Sequence, residues 1–389
     1  MSIHRVAQST RLKMLGQPER QEAFDMVLSI LAARFPQQVL GNHMHELWEG
    51  CETFLDQVLA FDKAVQRWQP SLLETKVYVN MMCDCTWYLW EIGQHDEALT
   101  RLEWLERLCS RTIGLHTLEG ARILVNRGCV FSTLNRYEEA GMLFEHALQI
   151  RSQMLSGDHP LLANSYMQMG NYYTSLGKVD DAVEAHEKVI QIRLGSPTTT
   201  PSSMAVSYFN YCRSLLLCGR FDEAERYLRK AEDVEMRVRD GRERLYCRNH
   251  RLYILGNILA RRGKIEKALV VHSEAYEIRR DLGVSPYLVG ASLHKIGTLY
   301  HRLGKRDQAI ETFQDAISLL NSFLGPTEAK LARLARTEMM LAEILATGQE
   351  AANWRDVAVQ HYCRAVGKDC PAEDWSQVDF DSLVPVIDR

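Results

Sequence analysis

A residue able to adopt a left-handed backbone recurs along this chain at Gly93, Asn135, Gly177, Gly219, Gly263 and Gly304, at intervals of 42, 42, 42, 44 and 41. Each is followed by a polar segment ending in alanine: QHDEA, RYEEA, KVDDA, RFDEA, KIEKA and KRDQA. Residues 166–193 show the unit most clearly, with Gly170 seven before the turn residue Gly177, Ala182 five after it and Val189 twelve after it. Small residues seven before and five after the turn let two antiparallel helices approach closely, while large ones on neighbouring turns fill the space between pairs. Asn135 fits the series because Asn tolerates the left-handed region best after Gly. Repetition of this kind overrides the length prior: 389 residues would otherwise make two or three globular domains, but a solenoid grows without splitting.

These motifs resemble the tetratricopeptide repeat, as in Gly170, Tyr173, Gly177 and Ala182 and again in Gly297, Tyr300, Gly304, Ala309, Phe313 and Ala316. The 42-residue period is similar to the long repeats of kinesin light chains. Thr86 and Cys212 depart from the pattern where the other units carry Gly, and His186 and His272 stand where Phe144 and Phe313 stand. The resemblance implies an all-α, right-handed superhelix with a concave face lined by the first helix of each pair.

The organisation expected is a helical N-terminal cap over 1–70, an array of about six repeats with the start of a degenerate seventh over 71–350, a capping helix over 351–369 and an acidic tail over 370–389. Within the cap, Pro18 opens a helix that ends near Pro36, and a second helix runs from about His43 to Trp68. In the last unit, a linker TGQEAAN displaces the turn, with Ala358, Tyr362 and Ala365 taking the places of Ala140, Phe144 and Ala147. The tail reads as a free extension, a strap packed through Trp375 and Phe380, or a segment lying in the chain's own groove. Residues 2–12, SIHRVAQSTRL, with the helix that follows, resemble the junction between winged helix and tetratricopeptide array in fungal STAND receptors of the NLR-like kind. No GxxxxGK[ST] phosphate loop accompanies it.

A net charge of −4 gives no whole-molecule case for nucleic acid or anionic membrane, and no apolar run reaches membrane-spanning length, so a cytoplasmic protein is expected. Ten scattered cysteines without a CxxC read as reduced packing residues. Neither His43-x-His45 nor His294 and His301 has carboxylate or thiol company at ligand spacing, so no metal and no cofactor is expected. The arginine-rich stretch 237–262 is interspersed with Glu235, Asp240 and Glu243, which favours a solvated helix pair or the basic wall of a groove.

Function should therefore rest on the concave side chains. Nine before the turn stand Asn126, Gln168, Asn210 and Lys295; six before, Asn171, Arg213 and Asn257; thirteen before, Asn164 and His250; two before, Arg261 and Arg302. A carboxamide can donate to a peptide carbonyl and accept from its N–H, whereas Arg and Lys suit carboxylates. The expectation is a non-enzymatic scaffold that binds an extended, acidic peptide of a protein partner. One alternative is an enzyme or small-molecule binder, as in fungal secondary metabolism, with a cavity enclosed by Tyr166, Tyr208, Phe209, Tyr211, Tyr253 and His294. Another is an oligomerisation or sensor module of an NLR-like assembly, in which copies of the chain pair with one another.

Overall fold

The computed structural model describes residues 14–69, 75–322, 328–366 and 380–381. Among them there is no strand, and sixteen α-helices form seven antiparallel pairs preceded by two helices of the N-terminal segment. We number them α1 (Gln17–Arg34), α2 (Trp48–Trp68), α3 (Thr75–Glu91), α4 (His95–Arg111), α5 (Leu118–Thr133), α6 (Tyr137–Met154), α7 (Pro160–Leu176) and α8 (Val179–Gly195). The series continues with α9 (Pro201–Leu217), α10 (Phe221–Glu235), α11 (Arg242–Arg261), α12 (Ile265–Leu282), α13 (Pro286–Arg302), α14 (Arg306–Asn321), α15 (Glu328–Leu345) and α16 (Gln349–Val366). The STAND-like segment 2–12 lies outside the described residues, and so does Trp375.

The repeat works as its residues require. Gly93, Asn135, Gly177, Gly219, Gly263 and Gly304 have φ between 64° and 84°, all in the left-handed region. The glycine seven before the turn is a packing device. A Cβ on Gly170 or Gly256 would lie 2.5 Å from the ring of His186 or His272, and one on Gly128 2.5 Å from Phe144. Thr86 and Cys212, which break the glycine pattern, each face a unit whose ring is replaced by leucine, Leu102 and Leu228, at the ninth position after the turn. Volume is thus exchanged across the pair, which keeps the core filled.

Three of the six joints between successive pairs are closed by a buried arginine. Nη1 of Arg151 donates to Ser165 Oγ at 2.9 Å and to the Leu161 carbonyl, and Nη1 of Arg279 donates to Ser292 Oγ at 2.8 Å and to the Leu288 carbonyl. Arg193 does the same to Ser207 Oγ at 2.8 Å and the Ser203 carbonyl. Between the fourth and fifth pairs the roles change hands. Glu235, 3% exposed, occupies the arginine's place and Arg251 the serine's, with Nε to Oε2 at 2.7 Å.

Two readings of the ends need correction. The second N-terminal helix starts at Trp48 rather than near His43, after a 3₁₀ turn at His45–Leu47. Leu40 (φ 52°) and Gly41 (φ 76°) are left-handed, so residues 36–44 cannot be helical. In the seventh pair, TGQEAAN is not a linker: α16 begins at Gln349, and Ala346, 42 residues after Gly304, is itself the turn residue with φ 63°. Buried Ala351 and Ala358 then correspond to Ala140 and Ala147, one helical heptad from the register that the sequence suggests. Of the tail, Phe380 is fully buried beside Ala335, Met339 and Ala358, with its ring 5.2 Å from Tyr362, and Asp381 pairs with Arg336 Nε at 2.6 Å.

The N-terminal helices pack on the outer start of the array, α1 and α2 both touching α3. Phe24, Leu28 and Leu31 are buried there, whereas Met26, Val27 and Ile30 face outward. The superhelix then curls until its first and sixth pairs meet. His95 at the start of α4 stacks on Tyr287 at the start of α13 with ring centroids 5.9 Å apart, which turns the concave groove into a channel.

Candidate functional site: a channel holding the chain's own segment

The channel encloses a cavity of about 490 Å³. Residues 37–47, between α1 and α2, lie along one side of it. Their backbone is gripped by side chains of the array. Asp84 Oδ1 accepts from the Gln38 amide at 2.8 Å, Asn164 Nδ2 donates to the Gly41 carbonyl at 3.3 Å, and both oxygens of Glu91 accept from the Met44 amide at 3.0 and 3.2 Å. Arg122 closes the first of these contacts by pairing with Asp84 and with Gln38 Oε1. A side chain at Gly41 would meet Asn164 Nδ2 at 2.2 Å.

Glu91 is the hub. Its oxygens also accept from His43 Nδ1, Trp48 Nε1 and Trp87 Nε1, each at 2.8 Å. Burial alone would raise this carboxyl, but the hydrogen bond from His43 and then that from Trp48 bring it below the usual carboxylate value. On the far wall, Tyr246 of α11 places its hydroxyl 3.0 Å from His43 Nε2 and its ring 4.0 Å from that of His45. Burial pushes His45 down to about 3, opposed only in part by Glu91. The sequence reading missed this arrangement because Glu91 stands 46 residues beyond His45, at the C-terminal end of α3.

The residues singled out from the sequence fall into three groups. Asn164, Gln168, Asn171, Asn210 and Arg213 line the cavity, with Asn171 Oδ1 buried and without a hydrogen-bond partner. Asn210 is held by Met167 Sδ and Arg213 Nη1, the latter at 2.7 Å. Arg213 also belongs to a second, smaller recess of about 110 Å³, lined by Asn257, Arg261, Lys295 and Arg302 as well. The third group lines neither space. Asn126 is 3% exposed and donates to the Cys83 carbonyl at 2.8 Å and to Thr86 Oγ1 at 3.1 Å, tying α5 to α3. His250 sits between Tyr246 and Phe209, Tyr253 lies under the Arg279 guanidinium, and His294 meets Thr337 Oγ1 at 3.2 Å inside the core.

The cavity's aromatic wall is Trp87, Trp90, Tyr246 and Tyr287; the alternative wall of Tyr166, Tyr208, Phe209, Tyr211, Tyr253 and His294 does not line it. Four of the eight arginines of 237–262 are paired with acids: Arg244 with Asp240, Arg248 with Glu274, Arg251 with Glu232 and Glu235, and Arg262 with Asp222 and Glu225. All nine described cysteines are free thiols, seven of them buried, and burial pushes Cys51, Cys83 and Cys247 up to about 12. No described helix is long and apolar enough to cross a membrane.

Comparison with known proteins agrees with this geometry. A tetratricopeptide-repeat model matches residues 119–194 and 248–322, and a second such model matches 205–230. Protein KINESIN LIGHT CHAIN-RELATED 1 of Arabidopsis thaliana is 23% identical over 246 residues, covering 61% of this chain and 40% of that protein. KINESIN LIGHT CHAIN-RELATED 3 of the same plant is 20% identical over 324 residues, 78% of this chain and 42% of that protein. The chain therefore spans about two fifths of the length of these relatives. Among solved structures, NprR in complex with its cognate peptide NprX superposes with a TM-score of 0.59 at 12% identity, covering 81% of this chain and 87% of that one. The Rap protein complexed with competence and sporulation factor gives 0.58 at 13% identity, over 89% and 97%. With its in-register turns and its paired helices, the chain carries tetratricopeptide repeats over residues 119–194, 205–230 and 248–322.

Proposed function

We propose that this protein is a non-enzymatic interaction scaffold whose channel binds an extended, acidic peptide segment of a partner. The observation that carries this reading is that the concave side chains already hold an irregular segment by its backbone: Asp84, Glu91 and Asn164 engage the amides and carbonyl of Gln38, Met44 and Gly41. Side chains that grip residues 37–47 through main-chain atoms can grip another chain in the same way, because every peptide offers those atoms. Past that segment the cavity presents Gln168, Asn171 and Asn210, and then the recess with Arg213, Arg261, Lys295 and Arg302. The cations that line this recess favour acidic side chains, since a charged hydrogen bond formed there is stronger than a neutral one. The peptide-bound NprR and Rap structures share this fold and support the reading by analogy.

The test is a fluorescence-anisotropy screen of labelled acidic, neutral and basic peptides. Acidic peptides are expected to bind, and Asn171→Ala combined with Arg261→Ala should weaken the best of them at least tenfold without shifting Tm. Equal binding of basic peptides, or unchanged affinity in a well-folded double variant, overturns the reading.

A further inference from the structure

We propose that His43, His45 and Glu91 form a site for a divalent transition-metal ion, which staples residues 37–47 to the wall of the channel. One nitrogen of each histidine and one carboxylate oxygen lie within 4.8 Å of one another. His43 Nδ1 and Glu91 Oε1 are 2.8 Å apart. That is close to the separation of two neighbouring ligands at right angles on an ion with bonds of roughly 2.1 Å.

Three further features support a ligand at this place. First, His45 Nε2 is buried and has no hydrogen-bond partner, on a residue only 8% exposed. A buried polar atom without a partner is costly, and coordination would satisfy it. Second, the shell around the ligands is built. Trp48 Nε1, Trp87 Nε1 and the Met44 amide orient the Glu91 carboxylate, while Tyr246 Oη lies 3.0 Å from the other nitrogen of His43. The tautomer that frees His43 Nδ1 for a metal carries its proton on Nε2, where Tyr246 Oη accepts it. Hydrogen bonding of a ligating histidine through its second nitrogen is what fixes ring and tautomer at metal centres. Third, all three residues border the cavity, which gives an ion a route in and leaves room for water on the remaining positions.

Two imidazoles and a carboxylate, without a thiolate, suit Zn²⁺, Co²⁺ or Ni²⁺ better than Ca²⁺ or Mg²⁺. The two histidines come from the segment between α1 and α2 and the carboxylate from the array, so the ion would cross-link them.

The experiment is calorimetric titration of the full chain with Zn²⁺ alone after chelator treatment. One equivalent binding tighter than about 10 µM is expected, since three protein ligands are pre-assembled. His45→Ala, which leaves the Met44, Trp48 and Trp87 bonds to Glu91 untouched, should weaken binding at least a hundredfold. Co²⁺ in place of Zn²⁺ should give a visible spectrum that the same variant loses. Absence of a saturable equivalent in the unmodified chain overturns the proposal, as does unaltered binding in His45→Ala. The isosteric His45→Gln serves as the second variant, and the wild-type titration decides the matter whether or not either variant folds. The outcome is independent of peptide binding, which the anisotropy screen reads separately.

Discussion

Gly256 and His272 show how much a single contact can carry in this array. A Cβ at Gly256 would stand 2.5 Å from His272 Nε2, a separation that forces the ring or the helix to move. Gly256→Ala should therefore cost about 1–3 kcal/mol, the range for overpacking a filled core, as read from denaturant midpoints. Adding His272→Leu should recover most of the loss, because Cys212 opposite Leu228 is the same solution elsewhere in the chain. The glycine was legible from the spacing of the repeat, but its opposing ring was not assigned, since −7 and +9 meet only once the helices pair. Buried histidines also make stability depend on acid. Burial holds His186 and His272 at about 3, so both stay neutral in the folded state while the unfolded chain takes up protons below about 6.5. Stability should fall as pH drops through 6.5 towards 3, by about 1 kcal/mol per histidine one unit below 6.5. Thermal melts at pH 7.5 and 5.5 check this, with His186→Leu/His272→Leu expected to narrow the difference. Asp62 and Asp84, whose carboxyls burial raises, act in the opposite sense at lower pH.

Between elements, the joints are more informative than the helices. The arginine that closes three of the joints sits sixteen residues after the turn, and at the fourth joint Glu235 and Arg251 carry the contact with the charges exchanged. Arg251→Ser should leave Glu235 buried without its cation and cost about 3–5 kcal/mol. The double variant Glu235→Arg/Arg251→Ser restores the arrangement of the other joints and should regain at least half of that. A double-mutant cycle measures the coupling, and strictly additive losses would show that the joint is not a unit. Helix pairs, turns and the superhelix were readable because each rests on short spacings repeated six times. The seventh pair was misregistered for a single physical reason, that Ala346 holds the left-handed position usually given to Gly or Asn. That strain makes a second expectation: Ala346→Gly should stabilise by about 1 kcal/mol, visible as a raised midpoint in a chemical denaturation curve.

For the molecule as a whole, the decisive feature is one that no repeat encodes. Residues 37–47 have no periodicity, and their partners Asp84, Glu91, Asn164 and Tyr246 are scattered over more than 150 residues of sequence, so only the curl of the superhelix reveals that they converge. Of the amides expected on the concave face, Asn126 is buried between α5 and α3 and Asn164 is spent on the chain's own Gly41, while Gln168, Asn171 and Asn210 line the cavity and Asn257 the basic recess. Glu91 controls how firmly the segment is seated, since three side-chain N–H groups and the Met44 amide converge on its carboxylate. In Glu91→Gln one acceptor oxygen becomes an N–H₂ donor facing donors, which leaves buried groups unpaired and removes the charge they were arranged around. Hydrogen exchange should then rise over residues 37–47, including the Met44 amide, while the amides of α5 to α10, which do not touch Glu91, keep their protection. Acidic peptides should bind the variant more tightly than the native chain, because the segment that shares the channel has been loosened and its occupancy is a population that a competitor must displace. Tighter exchange protection over 37–47, or peptide affinity reduced in step with it, would mean that the segment forms part of the binding wall instead of competing for it.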